Sequence, residues 1–334
     1  MLTMRHLYFL LPGTSQRYHC GGLWAELKTL QLVQQVCSAS VVTYEQREAD
    51  TPFLEDLLAN QSLEDSIFVV SWGFHVPRLL RRLGRHPVVY HAHSSGYGFT
   101  VPAQVPIITV SRNSLGYWGQ HCPNGLLFYL PNPIDHDFSN RQQPRDIDVL
   151  VQSRKASTYL INTLVPALQP HCELFCLDRF VEDLAGLFNR SRLYLYDSAE
   201  YWAVNGVSEG FGLPPMEAIA CGCQVFSSVN SALADYLDPG FNCQKIGVYH
   251  SGYDVERILA ALADGHLPGP PLDLSPYRPE QLVPRLRVIL QEINRFFDYR
   301  AHQAGDVPGL GKSRLARLRL QGWGEKLGRK LFTR

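Results

Sequence analysis

Two carboxylates eight positions apart, Glu209 and Glu217, bracket a run whose residue types suit the holding of an anionic ligand. Between them lie Gly210, Phe211, Gly212, Leu213, Pro214 and Pro215. Glycine on either side of Phe211 lets the loop adopt dihedrals closed to other residues and brings its backbone close to a ligand. The two prolines mark a helix start, where a missing N–H costs nothing. Met216 to Cys221 then reads as a short apolar helix ended by Gly222, and Gln224 to Ser228 as a buried strand. A helix start presents free N–H groups and the positive end of a dipole. With Glu209 before that helix and Glu217 in its first turn, both can face one cleft.

Other residues with suitable chemistry stand just past apolar runs. Arg154 and Lys155 follow a strand expected over Asp148 to Gln152, where two cations can neutralise a diphosphate and the arginine can do so bidentately. Gly21 and Gly22 precede a helical pattern from Leu23 to Val36, a setting that suits a phosphate. His91 and His93 follow a strand opened by Pro87, and the residue types alone do not choose between them.

The elements that must position these groups alternate along the chain. Apolar runs at 6–11, 39–44, 67–71, 87–90, 106–110 and 126–130 are separated by helical stretches, which predicts a parallel sheet covered on both faces. Ligands then sit beyond the carboxyl ends of its strands. A polar, proline-punctuated stretch from Asp135 to Arg145 reads as a linker. Strands at 148–152, 174–177, 193–196 and 224–228, with helices between, predict a second such domain. The connection from Asp197 to Gly206 is long, so an inserted loop is expected beside the site. Pro279 to Tyr299 is a long amphipathic segment.

Bulk properties narrow the function. The chain has 334 residues and 45% hydrophobic content, enough for two cores. Its formal charge is zero, but Asp306 to Arg334 holds eight basic and two acidic residues, +6, and the remainder is −6. A mildly acidic body argues against nucleic acid as a partner. Eight cysteines occur with no CxxC pair, so buried free thiols in a reduced, cytoplasmic setting are expected rather than zinc. No run approaches the ~20 apolar residues of a membrane span.

The run Glu209-Gly210-Phe211-Gly212-Leu213-Pro214 with Glu217 resembles the signature of retaining GT-B glycosyltransferases, in particular family 4. That resemblance implies an α/β fold of two Rossmann-like parallel-sheet domains facing across a cleft: an acceptor domain (1–140), a nucleotide-sugar donor domain (141–285), a helix crossing back (286–305) and a basic tail (306–334). It implies transfer from a nucleotide diphosphate sugar, itself the substrate with no further cofactor, to a saccharide or lipid-linked acceptor. Glu217 would hold the ribose hydroxyls. Glu209 and the backbone of Gly210, Phe211, Gly212 and Leu213 would hold the donor sugar, and Arg154, Lys155, Gly21 and Gly22 the diphosphate. The family's histidine, six residues after the strand-opening proline, falls on His93, which joins Glu209 and Arg154 as a catalytic candidate.

Departures from the pattern qualify this. The family's Arg and Lys are usually several residues apart, whereas Arg154 and Lys155 are adjacent, and Pro133 replaces a glycine in Pro131-Asn132-Pro133-Ile134-Asp135. A member that binds a nucleotide sugar or a partner without turnover is the alternative. Asp146 and Asp148 have Asp-x-Asp spacing but open a strand, so no metal is expected. The tail mixes basic residues with Leu315, Leu318, Leu320, Trp323, Leu327, Leu331 and Phe332. An anionic membrane surface, giving peripheral attachment at the inner face, and a solvated terminus fit it equally; Gly322, Gly324 and Gly328 each weaken a helix there by about 1 kcal/mol.

Overall fold

The alternation of apolar runs and helices builds two all-parallel sheets in a computed structural model that describes residues 4–60, 62–179, 181–264 and 272–332. The first comprises β1 (His6–Leu11), α1 (Gly21–Gln34), β2 (Ala39–Thr43), α2 (Leu54–Asn60), β3 (Ser66–Val70), α3 (Val76–Leu83), β4 (Val88–Ala92), β5 (Ile107–Thr109), α4 (Arg112–His121) and β6 (Leu127–Tyr129). Its strands lie in the order β2-β1-β3-β4-β5-β6. Every residue of β3 and β4 is buried, as befits strands with helices on both faces. On one face Leu10, Phe68, Val70 and Tyr90 pack with Leu79 and Leu83 of α3 and Trp118 of α4. On the other, Phe9, Ile67, Val69 and Val89 pack with Leu30 and Val33 of α1.

The second sheet comprises β7 (Ile147–Gln152), a π-helical turn (Leu160–Leu164) running into α5 (Val165–Leu168), β8 (Leu174–Leu177), α6 (Leu184–Arg190), β9 (Ser191–Tyr196), α7 (Ala199–Asn205), α8 (Leu213–Ala220), β10 (Gln224–Ser227), β11 (Gln244–Lys245) and α9 (Ser251–Asp264). The order is β11-β10-β9-β7-β8. In each sheet the first strand lies between the second and the third, β1 between β2 and β3, and β7 between β8 and β9. The crevice where the chain's direction of winding reverses is therefore at the carboxyl ends of β1/β3 and β7/β9, the place such sheets bind ligands. Gly21 and Gly22 leave one crevice, and Arg154 and Lys155 the other.

α10 (Pro279–Arg300) returns to the first domain. Leu282, Leu286, Leu290, Ile293 and Phe297 bury against β1, β3, β4 and α1, and Arg5 bonds to Asn294 and Asp298. The first turn of this helix already packs there, ahead of the 286 boundary expected from sequence. Arg278, just before it, donates to the carbonyls of Asp135 and Phe138 in the linker. α11 (Lys312–Phe332) is helical across Gly322, Gly324 and Gly328, so the leucine, arginine, lysine and alanine around them outweigh the glycines. The side chains of Leu327, Leu331 and Phe332, and residues 333–334, lie outside the described residues. All eight cysteines are free; four are buried and Cys176 is exposed.

Candidate active site

Two loops from different domains meet at the carboxyl ends of the sheets. The loop after β4 carries His93, Ser94, Ser95 and Gly96, and the loop before α8 carries Gly206, Ser208, Glu209 and Gly210. Ser94 Oγ donates to the Ser208 carbonyl at 2.6 Å, the Ser208 amide donates to the Ser95 carbonyl at 3.1 Å, and the Ser95 amide donates to Ser208 Oγ at 3.1 Å. A Cβ on Gly210 would lie 1.3 Å from the His93 carbonyl oxygen, so only glycine lets the loops close. Gly96, at φ +93°, abuts the Gly206 carbonyl in the same way. Thus His93 and the signature loop, 117 residues apart in sequence counting from His93 to Gly210, touch through backbone.

His93 is held by a residue that sequence reasoning missed. Glu26, 1% exposed on α1, accepts from His91 Nδ1 and His93 Nε2, each at 2.6 Å and both on Oε2. Burial opposes ionisation of Glu26, yet the charges and hydrogen bonds of the two histidines outweigh it and hold its carboxyl down at about 2. Burial, with His91 beside it, pushes the His93 pKa below its ordinary value, so a neutral ring donates Nε2–H to an ionised carboxylate. The Nδ1 of His93 is then a lone-pair acceptor. The local signal was a glutamate among the buried positions Leu23, Ala25, Thr29 and Leu30 of α1.

Among the described residues this trio is the one group with three candidate metal-ligand atoms within 4.8 Å. Both rings point at the same carboxylate oxygen, however, so Oε2 stands where an ion would have to sit, and the geometry is that of hydrogen bonds. Asp146 and Asp148 lie at the amino end of β7, away from the crevice, and pair there with Arg190 and Arg192.

The two signature glutamates have different surroundings. Glu209 is buried and its Oε2 accepts from Tyr196 Oη at 2.7 Å, Ser198 Oγ at 3.1 Å and Trp202 Nε1 at 2.6 Å. These donors turn one carboxylate oxygen into the second domain and leave Oε1 outside the set. Glu217, 6% exposed on α8, receives no hydrogen bond among the described residues. Burial pushes its pKa up to about 7; Lys28 of α1 works against that and Asp135 with it. Lys28 and Asp135 are themselves paired at 2.5 Å. The residue is buried but its oxygens are not among the fully enclosed polar atoms, so a donor entering from the crevice can reach them and offset the cost of burial.

That cost gives Glu217 a pH signature. Its folded pKa is raised, so the stability of its protonated form is fully present below the unfolded value near 4.5 and is lost as pH rises through about 7. Glu217→Gln should remove this loss, leaving the variant more stable than the parent at pH 8 by roughly 2–3 kcal/mol and no more stable at pH 4. Thermal melts of both proteins across pH 4 to 8 check it, and parallel curves would refute it.

The remaining candidates are placed as follows. Phe211 is buried against Tyr236 and Tyr277, so only its backbone is left for a ligand. Gly212, at φ +78°, is the N-cap of α8, and half-buried Leu213 starts the helix. Arg154 and Lys155 are exposed at the end of β7. Among the described residues no acid pairs with Arg154, whereas Lys155 Nζ lies over the ring of Trp202 at 4.4 Å. A Cβ on Gly21 would meet nothing within 4 Å, and on Gly22 only Cys20 Sγ at 3.8 Å. Protein packing therefore does not demand those glycines. The long connection expected as an inserted loop is a helix, α7, and it supplies Trp202.

No family model matches the chain, and no curated protein matches it by sequence. Solved structures do match it in shape. The pneumococcal O-GlcNAc transferase GtfA, solved with UDP and GlcNAc, superposes with a TM-score of 0.58 at 9% identity over 87% of this chain and 99% of that one. Anabaena HepE, solved with UDP and glucose, gives 0.53 at 14% identity over 89% and 99%. The GtfA/B complex gives 0.52 at 16% identity over 72% of this chain, which spans only 60% of that partner. The chain has the GT-B fold. Both Rossmann-like sheets, the crevice at their carboxyl ends and the back-crossing α10 belong to that GT-B architecture, and at these identities the likeness extends to the fold alone.

Proposed function

We propose that this GT-B chain is a retaining glycosyltransferase that moves a sugar from a nucleotide diphosphate sugar to a saccharide or lipid-linked acceptor, without a metal ion or further cofactor. The observation that carries the reading is Glu217: a buried carboxylate, free of hydrogen bonds among the described residues, on the signature helix beside the interdomain crevice. A ribose diol offers two hydroxyl donors, the pair such a group lacks. Glu209 Oε1 and the 210–213 backbone then hold the donor sugar. Arg154, Lys155 and the open N-terminus of α1 at Gly21 and Gly22 face the diphosphate. Neutral His93 accepts from a sugar hydroxyl through Nδ1.

In the step itself the bond from the anomeric carbon to phosphate oxygen breaks while a bond to the acceptor oxygen forms on the same face. The acceptor's proton passes to the departing phosphate. The charge that grows on the diphosphate meets fixed donors rather than reorganising water, and that difference is where such a site accelerates. The metal-free reading is supported by the engagement of Asp146 and Asp148 in ion pairs remote from the crevice. The test is incubation with a panel of nucleotide sugars, with and without excess EDTA, following released nucleoside diphosphate. Release that survives EDTA supports the proposal. Binding without release would make the chain a non-catalytic binder, and loss with EDTA restored by Mn²⁺ would overturn the metal-free part.

The acceptor side of the proposal includes a membrane. No described helix is long and apolar enough to cross one. α11 instead exposes Leu315, Leu318, Leu320 and Trp323 among Lys312, Arg314, Arg317, Arg319 and Lys326. Each basic residue near an anionic surface adds about 1 kcal/mol. Truncation after Gly305 should abolish sedimentation with phosphatidylserine vesicles at low salt. Equal partitioning of the full and truncated chains would remove the membrane from the account.

A further inference from the structure

Lys155 follows Arg154 directly, and consecutive side chains of an extended segment point to opposite sides. Two adjacent cations can serve one diphosphate only if the backbone turns between them. Lys155 takes φ +62°, a left-handed conformation that side chains adopt only when the surroundings hold it. Its ammonium ends 4.4 Å from the ring centroid of Trp202 and 5.4 Å from that of Tyr201, both on α7. The same indole donates Nε1–H to Glu209 Oε2 at 2.6 Å. No residue of α7 is buried, so the helix adds nothing to the core. Its end is nonetheless fixed: Gly206 caps it at φ +66° and places its carbonyl against Gly96 of the first domain.

Resting on the transferase reading, we propose that α7 is the shelf that presents Lys155 to the diphosphate, with Trp202 as the positioning residue. The π face of Trp202 carries the ammonium on the diphosphate side of the site, and its N–H fixes the carboxylate of Glu209. One side chain thus links the cation after β7 to the carboxylate of the signature loop. Lysine brings a point charge on a flexible stem, and a shelf that limits its rotamers before the ligand arrives raises affinity without a new contact.

Inorganic pyrophosphate is the probe, because it reads the diphosphate site without the nucleotide, the sugar or turnover. By calorimetry, Lys155→Met and Trp202→Leu should each weaken pyrophosphate binding about tenfold, and the double variant should be no weaker than either single one. Trp202→Phe keeps the ring and loses the N–H. It should bind pyrophosphate within about twofold of the parent while its turnover of the donor falls, a split that a merely structural tryptophan would not produce. Trp202→Met, bulky but without a π face, stands in should Trp202→Leu not fold. Additive losses, unchanged binding in Trp202→Leu, or equal losses in Trp202→Phe and Trp202→Leu would overturn the proposal. Failure of the parent itself to bind pyrophosphate would overturn the diphosphate site, and this inference with it.

Discussion

Replacing Gly210 with alanine is expected to lower turnover at least about a hundredfold, because misplacement of reacting groups by about 1 Å already costs that much. The new Cβ would fall 1.3 Å from the His93 carbonyl oxygen. Two atoms cannot share that space, and since the Cβ is fixed to its own Cα and the oxygen belongs to backbone, neither can swing aside and the loops must part. Parting them breaks the Ser94, Ser95 and Ser208 bonds that join the domains. It also separates His93 from the loop that leads to Glu217. Neither core is touched: Gly210 contacts the other domain, and Phe211 beside it still packs on Tyr236 and Tyr277. The variant should therefore remain folded, with its radius of gyration by small-angle scattering increased. Near-parental turnover with an unchanged radius would show that the seam plays no part in catalysis.

What could be read from the chain was local. Apolar runs and glycine-proline punctuation report on the next few residues, and strands and helices predicted from them lie within a few positions of β1–β10, α1, α8 and α10. The signature was legible for the same reason, since Glu209 to Glu217 is one continuous loop and helix. Its closest contact was not. Gly210 reads as freedom for a loop, whereas its neighbour is the His93 carbonyl of the other domain.

Long-range pairing explains the other misses. Glu26 lies 65 residues from His91 and 67 from His93, and nothing at that spacing marks a bond. A charged residue in the apolar stripe of α1 was the available sign. Ser198, Glu200 and Gly206 are ordinary boundary residues for the helix Ala199 to Asn205, but nothing in them marks a bond from the Trp202 indole to Glu209. The helix stands because it is tied at Glu209 and at Gly206. α11 errs in the opposite direction, as glycine counted singly underrates a run otherwise made of strong helix formers.

Arg154→Ala is expected to lower kcat by about 10²–10³ while the donor KM changes little, the loss seen when one preorganised donor to a developing anion is removed. Arg154 is exposed at the carboxyl end of β7, and no described acid pairs with it. The guanidinium is thus unspent in the free protein. Its charge matters most as the glycosidic bond to phosphate breaks, when the diphosphate gains charge that the ground state has not yet developed. Lys155 cannot cover for it, because it lacks the planar fork that meets two phosphate oxygens at once. Arg154→Lys should therefore recover only part of the rate. Because the side chain makes no described ion pair and fills no core, the stability should stay within about 0.5 kcal/mol of the parent's, as for other surface changes. Steady-state kinetics on a donor found in the panel, alongside thermal melts, provides the check. A rise in KM at constant kcat would make Arg154 a ground-state anchor only, and a parallel fall in stability would assign the loss to folding rather than to the leaving group.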